Sequence, residues 1–370
     1  MIVNRGSFFL SHRLPIAYEA RKLGYKFHVA APQDQNSNEI SQAGFPFHPI
    51  SLRPKGYNPL QEFTSIADLL RLFRRLKPDL VHHVTIKPVL YGGIAARIAN
   101  VPSVLSAISG LGHVFVSQTI SASLLRFFVK LGYRFAFGHK NEKVIFQNKD
   151  DRETFIDQKL VSPENCVIIQ GSGVNLRQFY FKPEPKSKPP VIVLASRMLW
   201  DKGVGEFVKA AETLLNENVS AHFILVGELD PGNPSAISSS QMKSLLKRDG
   251  IQWWGHQKNM FEIISNSHVI CLPSYREGIP KVLLEAAACG RPIVTTNVPG
   301  CREVVQNGEN GLIVPPKDSK TLAEALKKLV EDSELRRKMG AKSREIAVAK
   351  FSIEKVVRET ISVYKELLPK

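Results

Sequence analysis

The sequence predicts an α/β protein of two doubly wound, Rossmann-like domains facing each other across a cleft. Three observations carry that prediction. Short apolar runs with the character of buried parallel strands alternate with stretches of helical periodicity along nearly the whole chain. One proline-rich segment of alternating charge, FKPEPKSKPP at 181–190, can neither continue a helix nor fit a central strand, and it reads as a domain linker. A length of 370 residues is long for one domain and comfortable for two, and 43% apolar residues supply two sizeable cores. The expected division is 1–180, a linker at 181–190, 191–352, and a last helix at 353–370.

In chain order, MIV is a very short first strand and Gly6 makes a loop. Residues 11–23 read as a helix stopped by Gly24, and 26–31 as the second strand, a β-α-β opening. Ile66, Leu69, Leu70, Phe73 and Leu76 fall at helical spacing, with Arg71, Arg74 and Arg75 on the other face. DLVHHVT is a strand, IKPVLYGGIAARIAN a loop and helix, and VPSVLSAI the next strand, ending in the loop SGLGHVF that carries Ser109 and His113. At 119–140, Leu124, Leu125, Phe127, Phe128, Leu131, Phe135 and Phe137 are interleaved with Arg126, Lys130, Arg134 and Lys140. That pattern suits a helix lying on an anionic membrane surface, and equally a core helix with snorkelling cations. Strands VIFQN and CVIIQ, around a short helix, close the half.

The second half repeats the alternation: VIVLAS, a helix at 203–217, AHFILVG, a helix near 238–249, IQWWG, a helix at 258–265, and HVICLPS. There follows SYREGIPKVLLEAAACGRPIVTT, residues 274–296. Pro280 suits the first turn of a helix, Gly290 its stop, and Pro292-Ile293-Val294 a buried strand. Gly278 lets the backbone approach a ligand, and the outward amides of the first helical turn make an anion site suited to a diphosphate. Glu277 and Glu285 flank it. A carboxylate beside a diphosphate would repel it, so each is expected to bond sugar or ribose hydroxyls. SRMLWDKGVGEF supplies Arg197 and Lys202 around a turn, two cations able to neutralise a diphosphate leaving group as a metal otherwise would. No D-x-D metal motif occurs in the chain. The last three helices, at 319–331, 334–349 and 353–368, are amphipathic and charged.

Composition narrows the function classes. No run of 18 apolar residues is present, so no spanning helix is expected. The N-terminal segment lacks the continuous apolar core of a signal peptide. Cys166, Cys271, Cys289 and Cys301 show no C-x-x-C spacing and fit reduced, buried thiols in a cytoplasmic protein. A net charge of +16 implies an anionic partner: nucleic acid, anionic lipid or a phosphorylated substrate. No zinc pattern or helix-turn-helix supports nucleic acid, so none is expected.

Together, E-G at 277–278, a proline two residues beyond the glycine, L-E-A at 284–286 and C-G-R-P-I-V at 289–294 resemble the signature of the retaining nucleotide-sugar glycosyltransferases of family 4, which have the GT-B fold. The resemblance covers almost the whole chain. NRGSFFLSHRLPIA resembles the family's acceptor-side loop and first helix, which makes Gly6, His12 and Arg13 candidate acceptor contacts; a solvated helix start is the plainer reading of the last two. Ser109 stands where family members often carry a histidine near the reacting sugar, with His113 four residues later. Arg197 and Lys202 match an R-x4-K-G pattern. Gly227 and Trp253-Trp254-Gly255-His256 resemble the strand ends where base and ribose rest, although both tryptophans fit a core equally well. SRMLWDKGVGEF, the DPGNPSA loop and WWGH favour the bacterial enzymes that extend undecaprenyl-diphosphate-linked sugars.

The resemblance implies transfer of a sugar, an N-acetylhexosamine by expectation, from a UDP-sugar to a polyprenyl-diphosphate-linked glycan, with no metal or other cofactor. Arg197, Lys202 and the segment Gly278, Ile279, Pro280, Lys281, Val282 and Leu283 would hold the diphosphate, Glu285 the ribose and Glu277 the sugar. The acceptor hydroxyl would attack from the face the diphosphate leaves. The enzyme would sit on the inner face of the cytoplasmic membrane, and its final helix would cross back onto the first domain. The alternative is a UDP-sugar epimerase of the same fold, which would consume donor without an acceptor.

Overall fold

A computed structural model describes all residues except 54–58, 111–119 and 369–370. The chain divides into two compact units, Met1–Ser172 with Glu354–Lys370, and Gly173–Ile353. In the first, β1 (Val29–Ala31) pairs with β2 (Phe47–Pro49), and β3 (Leu80–Val84), β4 (Ser103–Ile108), β5 (Glu142–Phe146) and β6 (Cys166–Ile168) lie side by side in that order, all parallel. Ile2 joins the two sets through parallel bridges to Ala30 and His83. The expected first strand is therefore a single bridging residue, because the chain turns at Arg5 straight into the helix Gly6–His12. Leu69, Phe73, Tyr133, Phe146 and Phe155 fill the core.

The expected helix at 11–23 is two helices, Gly6–His12 and Leu14–Lys22, broken at Arg13. Pro15 offers no N–H to the carbonyl four residues back, so the helix cannot run through. The helix Ser37–Gln42 and strand β2 carry too few apolar residues to announce themselves by periodicity. The residues from Glu354 on belong to the first unit. There Tyr364 Oη lies 2.8 Å from His82 Nδ1, Leu367 O accepts from Ser103 Oγ at 2.8 Å and from Asn141 Nδ2 at 2.9 Å, and Lys143 pairs with Glu366 at 2.7 Å.

The second unit is a six-stranded parallel sheet. Its strands are β7 (Val191–Ala195), β8 (His222–Val226), β9 (Ile251–Trp253), β10 (Val269–Leu272), β11 (Ile293–Thr296) and β12 (Gly311–Val314), in the spatial order β12-β11-β10-β7-β8-β9. The order reverses between β7 and β10, which in a doubly wound sheet is the switch point where crevices form. Phe207, Phe223, Leu225 and Leu326 pack one face, and Leu283, Leu284, Ala287 and Phe351 the other.

Residues 173–190, read from sequence as the end of the first domain and a linker, belong to this second unit. Arginines hold them there. Arg291, 1% exposed, donates to Lys182 O at 2.9 Å and Pro183 O at 3.1 Å. Arg336 pairs with Glu184 at 2.5 Å, and Arg344 donates to Phe179 O at 3.0 Å. Proline content excluded helix and strand correctly, but says nothing about side-chain donors arriving from distant helices.

Candidate active site

At the switch point, the loop after β7 and the loop after β10 are stitched together. Tyr275 N donates to Asp201 O at 2.8 Å, and Ser274 Oγ lies 3.2 Å from the same carbonyl. Gly203 permits this closeness: it has φ +73, and a Cβ there would stand 2.1 Å from Pro273 O. The result brings together two of the residues singled out in the sequence. Lys202 Nζ lies 2.5 Å from Glu277 Oε1, with both side chains mostly buried. Fully buried Ser274 donates its hydroxyl to the same oxygen at 2.8 Å, and Thr296 in turn bonds Ser274 O through its own hydroxyl. Tyr275 donates to Glu206 Oε1 at 2.7 Å, with the Lys317 ammonium 5.0 Å from its ring centre.

Pro280 is the N-cap of the helix Lys281–Ala288 rather than a member of its first turn, and Gly290 takes the left-handed conformation just beyond its end. The amides of Leu283 and Leu284 return to Pro280 O. Leu283 itself is completely buried and serves the core, while Gly278, Ile279 and Pro280 lead into the helix as buried backbone. Lys281 and Glu285 face each other across one turn at 3.5 Å. Burial pushes the Glu285 carboxyl up to about 7, with Lys281 pulling the other way. A carboxyl raised in this way contributes stability below about pH 4.5 that is lost as pH rises through 7. Glu285→Gln is therefore expected to melt higher than the parent at pH 8, by on the order of 3 kcal/mol, and alike at pH 4. Equal melting temperatures at pH 8 would show that the carboxylate is not under strain.

Arg197 is also paired: Nη1 lies 2.6 Å from Asp230 Oδ2. Thus each of the three cations expected at a diphosphate has a carboxylate of its own unit beside it. At the ends of β8 and β9, Gly227 N donates to Gly255 O at 2.8 Å and Trp253 Nε1 donates to Gly227 O at 2.8 Å. Trp253 therefore braces these strand ends, whereas Trp254 and His256 are exposed.

Gly6, His12, Arg13 and Ser109 lie in the other unit. Gly6 begins a helix, its N–H held by Asp34 Oδ2 at 3.1 Å. His12 is half-buried and stacks on Phe8, with centroids 4.4 Å apart. Arg13 is 5% exposed, at the elbow between two helices. Burial lowers its guanidinium to about 10, and its Nε finds no partner among the described residues. That rules out the plainer reading of a solvated helix start for Arg13: the break in the helix turns it inward. Ser109 Oγ is shielded and without a partner among the described residues, and His113 lies outside them. Sequence reasoning missed Asp230 and Ser274, both polar residues in loops with no periodicity to mark them.

Residues 1–148 match the family described as glycosyl transferase 4-like, and 177–346 the one described as glycosyl transferases group 1. Over 348 residues the chain is 30% identical to the N,N'-diacetylbacillosaminyl-diphospho-undecaprenol alpha-1,3-N-acetylgalactosaminyltransferase of Campylobacter jejuni, covering 89% of this chain and 90% of that one. The chain belongs to the family 4 glycosyltransferases. This transferase is also 27% identical to the UDP-Gal:alpha-D-GlcNAc-diphosphoundecaprenol alpha-1,3-galactosyltransferase of Escherichia coli, over 84% of its own length and 81% of the other. The UDP complex of Anabaena Alr3699/HepE superposes with a TM-score of 0.78 at 18% identity, covering 99% of the transferase and 98% of that chain. Sucrose-phosphate synthase from Thermosynechococcus elongatus gives 0.80 at 20%, covering 95% and 92%. The fold is GT-B.

Proposed function

We propose that the transferase moves a sugar, an N-acetylhexosamine, from a UDP-sugar to an undecaprenyl-diphosphate-linked saccharide with retention and without a metal. The observation that carries this is the Lys202–Glu277 pair at the switch point, beside the helix Lys281–Ala288, in a chain whose relatives are named for lipid-diphosphate-linked acceptors. Lys202 and Arg197 meet the charge that develops on the diphosphate as the sugar departs. Glu285 accepts from the ribose hydroxyls, and Glu277, steadied by Ser274, from the transferred sugar. The acceptor hydroxyl attacks from the leaving-group face, and its proton passes to the departing phosphate. None of the relatives named above is an epimerase.

The test is a panel of UDP-sugars with an undecaprenyl-diphosphate acceptor, run with and without excess EDTA. Product that needs both donor and acceptor, retains configuration and survives EDTA supports the reading. Donor turnover without acceptor would mean epimerisation or hydrolysis, and complete loss restored by magnesium or manganese would overturn the metal-free mechanism.

The same proposal puts the first unit on the inner face of the cytoplasmic membrane. Among the described residues, no helix is long and apolar enough to cross a bilayer. The helix Ile120–Ala136 buries Val129, Tyr133 and Ala136 but leaves Phe127, Leu131 and Phe135 at 62%, 55% and 44% exposure. Arg97 caps that face, 4.4 Å from the Phe135 ring centre, and exposed Arg134 and Lys140 adjoin it. The inner face of this helix is core, and its outer face suits acyl chains and anionic headgroups. There the charge of +16 is met by lipid, not nucleic acid. Anionic liposomes are expected to float the parent, to release it in salt, and to lose Phe127→Ser/Leu131→Ser/Phe135→Ser at unchanged melting temperature. Equal flotation of the triple variant would remove the membrane claim.

A further inference from the structure

The ten residues after β8, which contain the DPGNPSA loop noted in the sequence, form an arm. Leu229 bridges Met198, Ala236 bridges Leu199, Trp200 N donates to Ser235 O at 2.8 Å, and Ile237 N donates to Met198 O at 3.2 Å. Asp201 N is held by Ser235 Oγ at 3.0 Å. This zips the arm to the whole of the turn between Arg197 and Lys202, and Ile237, 1% exposed, anchors it in the core. Within the arm, Asn233 N donates to Asp230 O at 3.1 Å and Asn233 Nδ2 lies 3.4 Å from Asp230 Oδ2.

Asp230 is the one carboxylate of this arm that reaches the site, through its 2.6 Å contact with Arg197 Nη1. The two side chains are unequally placed: Asp230 is 11% exposed, Arg197 47%. The carboxylate is the fixed partner, and the guanidinium is held by one edge with the rest of its fork outward. A planar guanidinium can satisfy a carboxylate through one nitrogen and a phosphate oxygen through the others. We infer that Asp230 is a positioning residue: it orients Arg197 before the donor arrives, so that Arg197 meets the diphosphate without first losing the freedom of a long side chain. This rests on the reading of Arg197 as a diphosphate contact. The arm makes Asp230 part of the same rigid piece as Lys202, so both cations are set by one element.

Calorimetric titration with UDP, alongside kcat and KM, tests the inference on five proteins: parent, Arg197→Ala, Asp230→Ala, Asp230→Asn and the double variant Arg197→Ala/Asp230→Ala. Asp230→Ala is expected to weaken UDP about tenfold, the size of ordering one long side chain on binding. Asp230→Asn keeps an oxygen for Arg197 and should lose less. The double variant should bind like Arg197→Ala alone, because Asp230 acts only through that arginine. Unchanged or tighter binding in Asp230→Ala, or additive losses in the double variant, would overturn the inference while leaving Arg197 in its role. Normal UDP binding by folded Arg197→Ala would instead remove the reading on which it rests. Should Asp230→Ala fail to fold, the isosteric Asp230→Asn compared with its own Arg197→Ala double variant gives the same decision.

Discussion

Lys202→Ala is expected to lower turnover on the order of a hundredfold or more, with a smaller change in KM. One preorganised donor aimed at charge that develops only as a bond breaks is worth about 2.7–4 kcal/mol. The pairing with Glu277 at 2.5 Å adds a second effect in the same direction. Without its ammonium, a mostly buried carboxylate would stand uncompensated beside a departing diphosphate and repel it. Removal of one partner from such a pair also costs stability, so turnover must be compared at a temperature where a thermal melt shows the variant folded. Near-normal turnover by a folded Lys202→Ala would mean that the leaving group is neutralised elsewhere and would sink the mechanism.

Gly227→Ala is expected to be the most damaging single substitution to the second unit, on the order of 4 kcal/mol in stability. Gly227 has φ +139, a region closed to residues with a Cβ, and the added carbon would lie 1.7 Å from Ser196 O. That carbonyl cannot retreat easily. Ser196 N is bonded to Val226 O at 2.9 Å and Met198 N to Glu228 O at 2.9 Å, so β7 and β8 are tied on either side of the collision. Relief would come by prising apart the ends of β7 and β8, which lead into Arg197 and into the Gly227–Gly255 hydrogen bond. Chemical denaturation of the parent and Gly227→Ala gives the stability difference. A loss below about 1 kcal/mol would show that the strand ends are softer than their hydrogen bonds indicate.

Five of the six strands of the second unit were legible as compact apolar runs, although their order in the sheet was not. Strand β12 escaped notice, since Gly311–Val314 is short and its flanks are polar. At the site, Glu277 and Glu285 were visible because motif spacing places them on either side of one helix start, and Lys202 because it completes the R-x4-K-G pattern with Arg197. That Lys202 and Glu277 touch was not visible, because it depends on Gly203 seating against Pro273. Asp230 escaped because its partner is 33 residues away, and the DPGNPSA loop that contains it carries no periodicity. The solvated reading of Arg13 failed for a local reason: a helix assumed continuous keeps its polar face outward, and the break at Arg13, ahead of Pro15, turns that side chain inward.

The arginine clamps on residues 179–184 bear on how the transferase can be dissected. A fragment starting at 191, where composition changes, would strip Arg291 of two of its carbonyl acceptors and Arg336 of its carboxylate, and leave those guanidiniums inside the protein. A fragment spanning 173–353 keeps every one of these bonds. Soluble expression of the second unit on its own therefore turns on eighteen residues, 173–190, that look dispensable.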